Sequence, residues 1–289
     1  MVPRHVPRFG VVAVKAIFVL GSPRSGTSVL GAYIGSHPDI TPLGEYLGFH
    51  FAGRVAPDLF PHDLQRYQHR YLGELVDHSV DFVARTVASA GTRGFCDDSP
   101  WNMEIVPHLE SLYPSALYLL CLRHYRGVIQ SLRRSYADGR AWVGATDTDR
   151  AETWVRFYSN VAYLPDDRTL PVSFEEFCVE PAVVIGRIGD WLDQHSFDKK
   201  LLDPAVFVTS HAAGRSASRP TVASLSGSGR VTFGKRPGYD PTTWTADDER
   251  AARSVVLDVD VELRARFPRH YLEPRCTTTG KPDLIQAKE

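Results

Sequence analysis

The apolar residues of this chain fall into short runs separated by helical spacings. Ile17–Leu20 is a brief apolar run rich in β-branched and aromatic residues and predicts a buried strand. Ala116–Leu122 is the strongest strand signal; it is apolar on both faces, as a central parallel strand must be. Each run leads into a helix. Val29, Leu30, Tyr33 and Ile34 share one side of a helix over 27–36, which His37-Pro38 stops, and a second helix is predicted from about 126 to 136. Weaker strand signals stand at 39–45, 94–100 and 170–174, and helical spacing returns at 71–89, 102–112, 150–163 and 181–192. Thr245-Ala-Asp-Asp predicts a capped helix running to about Phe267. Strands alternating with helices predict an α/β fold, a central parallel sheet with helices on both faces. We expect one domain over 15–272, with 1–14 and 273–289 as flexible termini.

Composition narrows the function classes. The 289 residues carry a formal net charge of −1, so no bulk field points to nucleic acid or a membrane surface. No stretch reaches the ~20 apolar residues that span a bilayer, and the first ten residues do not read as a signal peptide. The four cysteines are widely spaced without a C-x-x-C pair, which fits a reducing cytoplasm and gives no metal-site spacing.

The chemistry gathers where the first strand turns into the first helix. Gly21-Ser-Pro-Arg-Ser-Gly26 is small, polar and turn-forming, and it aims backbone N–H groups and a helix N-terminus at one point. The frame Gly21-x-x-x-x-Gly26-Thr27-Ser28 has the spacing of a nucleotide-triphosphate P-loop, with Thr27 where that loop has lysine. The loop's one cation is Arg24. A kinase or nucleotide hydrolase needs a metal-binding carboxylate at a second strand end. The strongest strand here ends in Arg123 instead, with Ser131 eight residues on, along the next helix. Ser131 can share a ligand with Arg123 only if the intervening turn folds back. The pattern therefore predicts an anion site built on two arginines.

These residues resemble the sulfotransferases that use 3′-phosphoadenosine 5′-phosphosulfate (PAPS) and release the bisphosphate PAP. The resemblance covers roughly 16–193 and rests on Ser22-Pro-Arg-Ser-Gly-Thr-Ser28, Arg123-x7-Ser131, Ser36-His-Pro-Asp-Ile40, Gly44-Glu45 and Val172-Ser-Phe-Glu-Glu-Phe177. It implies a P-loop-like sheet in which Ser22, Pro23, Arg24, Ser25, Gly26, Thr27 and Ser28 grip the 5′-phosphosulfate and Arg123 and Ser131 grip the 3′-phosphate. Arg24 would neutralise charge building on the leaving oxygen, and no metal is needed. The Gly-Glu pair is similar to that of the tyrosine-protein and several bacterial members. It implies Glu45 as general base, with His50, His37 and Asp98 as lesser candidates. The acceptor expected is a hydroxyl of a small molecule, natural product or glycan.

One departure stands out. Many relatives carry a lysine before Ser/Thr-Pro where this chain has Asp98-Ser99-Pro100, so another cation covers the sulfuryl oxygens or Asp98 addresses the acceptor. The aromatic stretch 46–72 and the segment 137–149 are expected to shape the acceptor pocket. Arg219, Arg230, Lys235 and Arg236, in a Ser/Gly-rich loop at 209–238, are candidates to reach the cofactor. Two alternatives remain at this point, a P-loop-like kinase and a non-catalytic nucleotide-binding protein.

Overall fold

The computed structural model describes residues 14–54, 68–203 and 244–272. Among them, five parallel strands form one sheet in the order β2-β3-β1-β4-β5. The strands are β1 (Lys15–Gly21), β2 (Ile40–Gly44), β3 (Gly94–Asp97), β4 (Leu117–Leu122) and β5 (Thr169–Ser173). The helices that follow them are α1 (Thr27–Ile34), α2 (Gly48–Arg54), α3 (Gln68–Ala90), α4 (Val106–Leu112), α5 (Tyr125–Ala137), α6 (Asp147–Tyr158), α7 (Phe174–Val179), α8 (Pro181–Gln194) and, last, α9 (Ala246–Arg266). The expected α/β architecture is the one observed.

The two central strands explain the layering. Alternate side chains leave a strand on opposite faces. On β1, Ile17 and Val19 face one core while Phe18 and Leu20 face another. On β4, Leu117, Leu119 and Cys121 join the first core and Tyr118, Leu120 and Leu122 the second. The first core is closed by α1 (Leu30, Tyr33, Ile34) and α8 (Val184, Ile188, Leu192). The second is closed by side chains of α3, α4, α5, α6 and α9, with Trp154 and Tyr158 fully buried. The Thr245 capping box forms as the sequence predicts, its hydroxyl accepting the Asp248 N–H.

Several segments differ from expectation. The 39–45 segment is a full edge strand, although Pro42 denies it one ladder donor. The helix expected over 102–112 is a 3₁₀ turn, Pro100–Ile105, that changes to α-helix at Val106. Part of the aromatic stretch 46–72 is helical, as α2 and the start of α3. The 137–149 segment holds a 3₁₀ turn at Ala141–Val143 and then the capped start of α6. The loop 209–238 and both termini lie outside the described residues. Among the described residues no helix is long and apolar enough to cross a membrane. Cys96, Cys121 and Cys178 are buried free thiols.

Packing between α1 and β3 tests this arrangement. A Cβ on Gly31 would stand 2.4 Å from the Cβ of Asp98, an atom close to the backbone that cannot swing away. Gly73, on α3, has open space around it. Helix propensity favours alanine over glycine by about 1 kcal/mol at both sites, and overpacking opposes it by roughly 1–3 kcal/mol at Gly31 alone. Urea denaturation should therefore show Gly31→Ala destabilised and Gly73→Ala unchanged or slightly stabilised.

Candidate functional site

Parallel strands place their carboxyl ends together, and the turns that leave them form the crevice where ligands bind in such sheets. The β1–α1 turn, Ser22–Gly26, is closed by the Ser25 N–H donating to the Ser22 carbonyl at 3.0 Å. Arg24 sits there at φ 72°, in the left-handed region, a conformation that costs on the order of 1–3 kcal/mol for a residue with a Cβ. Gly26, at φ 100°, ends the turn, and a Cβ there would stand 2.6 Å from the Phe174 ring. Thr27 and Ser28 begin α1, where the first-turn N–H groups have no intrahelical acceptor. Ser22, Pro23, Ser25 and Thr27 are buried and Ser28 half-buried.

The β4–α5 turn meets this one directly. Arg24 Nε donates to Ser131 Oγ at 3.0 Å, and Arg123 Nη1 donates to the Arg24 carbonyl at 2.5 Å. Arg24 thus bridges the two turns, its side chain on Ser131 and its carbonyl on Arg123. The Arg123 backbone is held from α6: its N–H donates to the Tyr158 hydroxyl at 3.1 Å, and its carbonyl accepts from Trp154 Nε1 at 3.1 Å. Its guanidinium lies over the Phe174 ring, 4.2 Å from the centroid. Burial lowers the Arg123 pKa to about 10 against the opposing charge of Glu175, so it stays cationic at neutral pH. Arg123 Nε is buried with no hydrogen-bond partner, an orphan donor that an anion would satisfy. Burial also lowers the Arg24 pKa, helped by Arg140 and Arg134 and opposed by Asp138 and Glu45.

The carboxylates stand on the other side of β1. Glu45 follows Gly44 at the end of β2 and is exposed, with Arg24 and Arg140 in electrostatic reach. Burial by its neighbours raises its pKa, and the two arginines hold it down. The Asp98 N–H donates to the Gly44 carbonyl at 3.2 Å, which ties the tip of β3 beside Glu45. Asp98 is 6% exposed, its Oδ1 has no partner, and burial, followed by the charge of Glu45, raises its pKa to about 6. Asp97 is fully buried and its pKa is pushed up to about 8 by burial, against the Ser99 N–H that its Oδ1 accepts.

Two lesser candidates for the base are occupied elsewhere. His37 Nδ1 accepts the Asp39 N–H, and Nε2 lies 3.1 Å from the Asp198 carbonyl, beyond the far end of α1 from the turn. His50 Nδ1 lies 3.1 Å from the Trp101 carbonyl, with Glu104 at 3.8 Å. Sequence reasoning missed Trp154 and Tyr158, whose helical spacing reads as core, and Arg134 and Arg140, which no motif marks. It quoted the segment holding Phe174 and Glu175 without a role.

Comparison with known proteins identifies the family and the fold. A profile of the sulfotransferase family matches residues 16–198. The chain belongs to the sulfotransferase family. It is 24% identical over 206 residues to protein-tyrosine sulfotransferase A of Caenorhabditis elegans, covering 64% of this chain and 51% of that one. It is 33% identical over 131 residues to the nodulation protein NoeE of Sinorhizobium fredii, covering 41% of this chain and 31% of that one. The chain thus spans about half or less of these relatives. The sulfotransferase domain of the Synechococcus PCC 7002 olefin synthase superposes with a TM-score of 0.55 at 19% identity, covering 88% of this chain and 97% of that one. The sulfotransferase domain of the curacin biosynthetic pathway gives 0.52 at 15%, covering 83% and 97%. Both share the fold.

Asp98 makes stability depend on pH. Its pKa is 3.8 unperturbed and about 6 when folded, so between these values the folded chain holds a proton that the unfolded chain has lost. Its contribution to stability therefore declines as pH rises from about 4 to 6. Asp98→Asn should remove roughly 1–3 kcal/mol of that decline, read as a flatter melting-temperature profile across this window.

Proposed function

We propose that the chain transfers the sulfuryl group of PAPS to a hydroxyl of a small molecule, natural product or glycan, without a metal. The observation that carries the reading is the contact of two arginine turns, Arg24 on Ser131 and Arg123 on the Arg24 carbonyl, beside an open helix N-terminus. The donor set suits PAP chemistry. The orphan Nε of Arg123 and the Ser131 hydroxyl would take the 3′-phosphate, the group that separates PAPS from ATP. The turn from Ser22 to Gly26, with Thr27 and Ser28, would take the 5′-phosphosulfate on N–H groups and hydroxyls. Gly26 lets the Phe174 ring pack directly against that turn, where a Cβ would collide with it.

The transfer needs a base and a counter-charge. Glu45 takes the acceptor proton while the acceptor oxygen bonds to sulfur. The bond from sulfur to the 5′-phosphate oxygen breaks, and the charge left on that oxygen falls to Arg24. A carboxylate whose pKa is raised by burial is a stronger base than one in water, while Arg24 and Arg140 favour its charged form. Arg140 also offers a cation near the transferring group where many relatives have lysine and this chain has Asp98. A sulfuryl group carries less negative charge than a γ-phosphoryl group, so guanidinium and N–H donors suffice without magnesium.

Calorimetry with adenosine 3′,5′-bisphosphate tests the donor site. Arg24→Ala and Arg123→Ala should each weaken binding, for Arg123 by roughly 1.5–3 kcal/mol. Wild-type affinity in both variants refutes the assignment. Glu45→Ala should lower turnover of labelled PAPS with a panel of hydroxyl acceptors by on the order of 10²–10⁴-fold, with bisphosphate affinity retained. Near-normal turnover would move the base elsewhere.

A further inference from the structure

The turn Ser173-Phe174-Glu175, where β5 enters α7, has no part in the transfer described above, yet it touches both anion-gripping turns. Phe174 lies under the Arg123 guanidinium and against Gly26. Glu175, 1% exposed, is the acidic group behind them. Its Oε1 accepts the N–H of His124, the residue next to Arg123, at 3.2 Å, and its Oε2 accepts the Ser173 hydroxyl at 3.4 Å.

A carboxylate buried near a guanidinium ordinarily closes a direct, often forked pair with it. Among the described residues no hydrogen bond or ion pair joins Glu175 to Arg123. The guanidinium donates from Nη1 to the Arg24 carbonyl, and its Nε has no partner. The carboxylate is held instead by the backbone beside Arg123 and by the end of its own strand. Glu175 therefore balances the buried charge and fixes the turn that carries it, while the guanidinium keeps donors for a ligand. We propose that Glu175 is a positioning residue for donor recognition, holding Arg123 beside the β1–α1 turn with its N–H groups free for the 3′-phosphate. This inference rests on the reading of Arg123 as the 3′-phosphate grip.

The arrangement has a measurable consequence. Burial raises the Glu175 pKa to about 7, against the pull of Arg123. The other groups facing it are the His124 N–H from the β4–α5 turn, the Ser173 hydroxyl from β5 and the Cys178 thiol from α7. Burial holds that thiol neutral by raising its pKa to about 12. A phosphate dianion arriving at Arg123 adds a second negative charge to a water-poor site, so Glu175 takes a proton from solvent as it binds. The phosphate's own titration, with a second pKa near 6, would release a proton on meeting a cation. The two origins therefore differ in sign.

Titration calorimetry at pH 7.5, in buffers of different ionisation enthalpy, reads the proton directly. Adenosine 3′,5′-bisphosphate should bind with uptake of roughly half a proton or more, and adenosine 5′-phosphate with almost none. Above pH 8 the bisphosphate affinity should fall by up to about tenfold per pH unit. Glu175→Gln retains an acceptor for the His124 N–H, so it should bind the bisphosphate without uptake and with a flatter pH profile. Glu175→Ala, checked for a native thermal melt, should lose bisphosphate affinity while that for the 5′-phosphate holds. Uptake unchanged in Glu175→Gln, or wild-type bisphosphate affinity in Glu175→Ala, overturns the inference. Failure of the wild-type protein to bind the bisphosphate overturns the donor reading itself, and this inference with it.

Discussion

A guanidinium placed at the tip of the most deeply buried strand must recover from its neighbours the hydration it gives up. Arg123 does so through contacts from four directions. The Phe174 ring lies under it, the Arg24 carbonyl accepts one of its N–H groups, Glu175 opposes its charge, and Tyr158 and Trp154 pin its backbone. These partners come from the β1–α1 turn, α6 and α7, so one buried charge ties those three segments to the tip of β4. The left-handed Arg24 belongs to the same device. Its unusual backbone presents its carbonyl to Arg123 while its side chain reaches Ser131.

The opposite sign gathers one strand away. Asp97, Asp98 and Glu45 crowd the tips of β3 and β2, and two of them are buried deeply enough to hold protons well above the usual carboxylate range. Low polarity strengthens every interaction there. Glu45, exposed at the tip of β2, has its pKa raised by burial and held down by Arg24 and Arg140.

Much of this was legible in the chain. Ile17–Leu20 and Ala116–Leu122 declare the central strands because parallel strands covered on both faces admit no polar alternation. The Gly21-to-Ser28 frame and the arginine at the end of β4 mark the two turns that meet in the structure, because small residues, hydroxyls and a cation coincide at a strand end. What stayed hidden depends on contacts between segments distant in sequence. Tyr158 and Trp154 are aromatic residues at helical spacing, and only their polar tips, turned toward the Arg123 backbone, set them apart from core. Arg134 and Arg140 read as surface charges until α5 brings them near Arg24. The edge strand β2 was obscured by Pro42, whose missing N–H weakens the local signal.

The strand order separates two tasks. The residues proposed above to hold the donor cluster on the tips of β1 and β4, whereas Glu45 and Asp98 directly follow β2 and β3 on the far side of β1. The two sides still meet, since Asp98 packs against Gly31 of α1 and Glu45 lies in electrostatic reach of Arg24. A change on either side of β1 is therefore felt across that strand, through α1 and through Arg24.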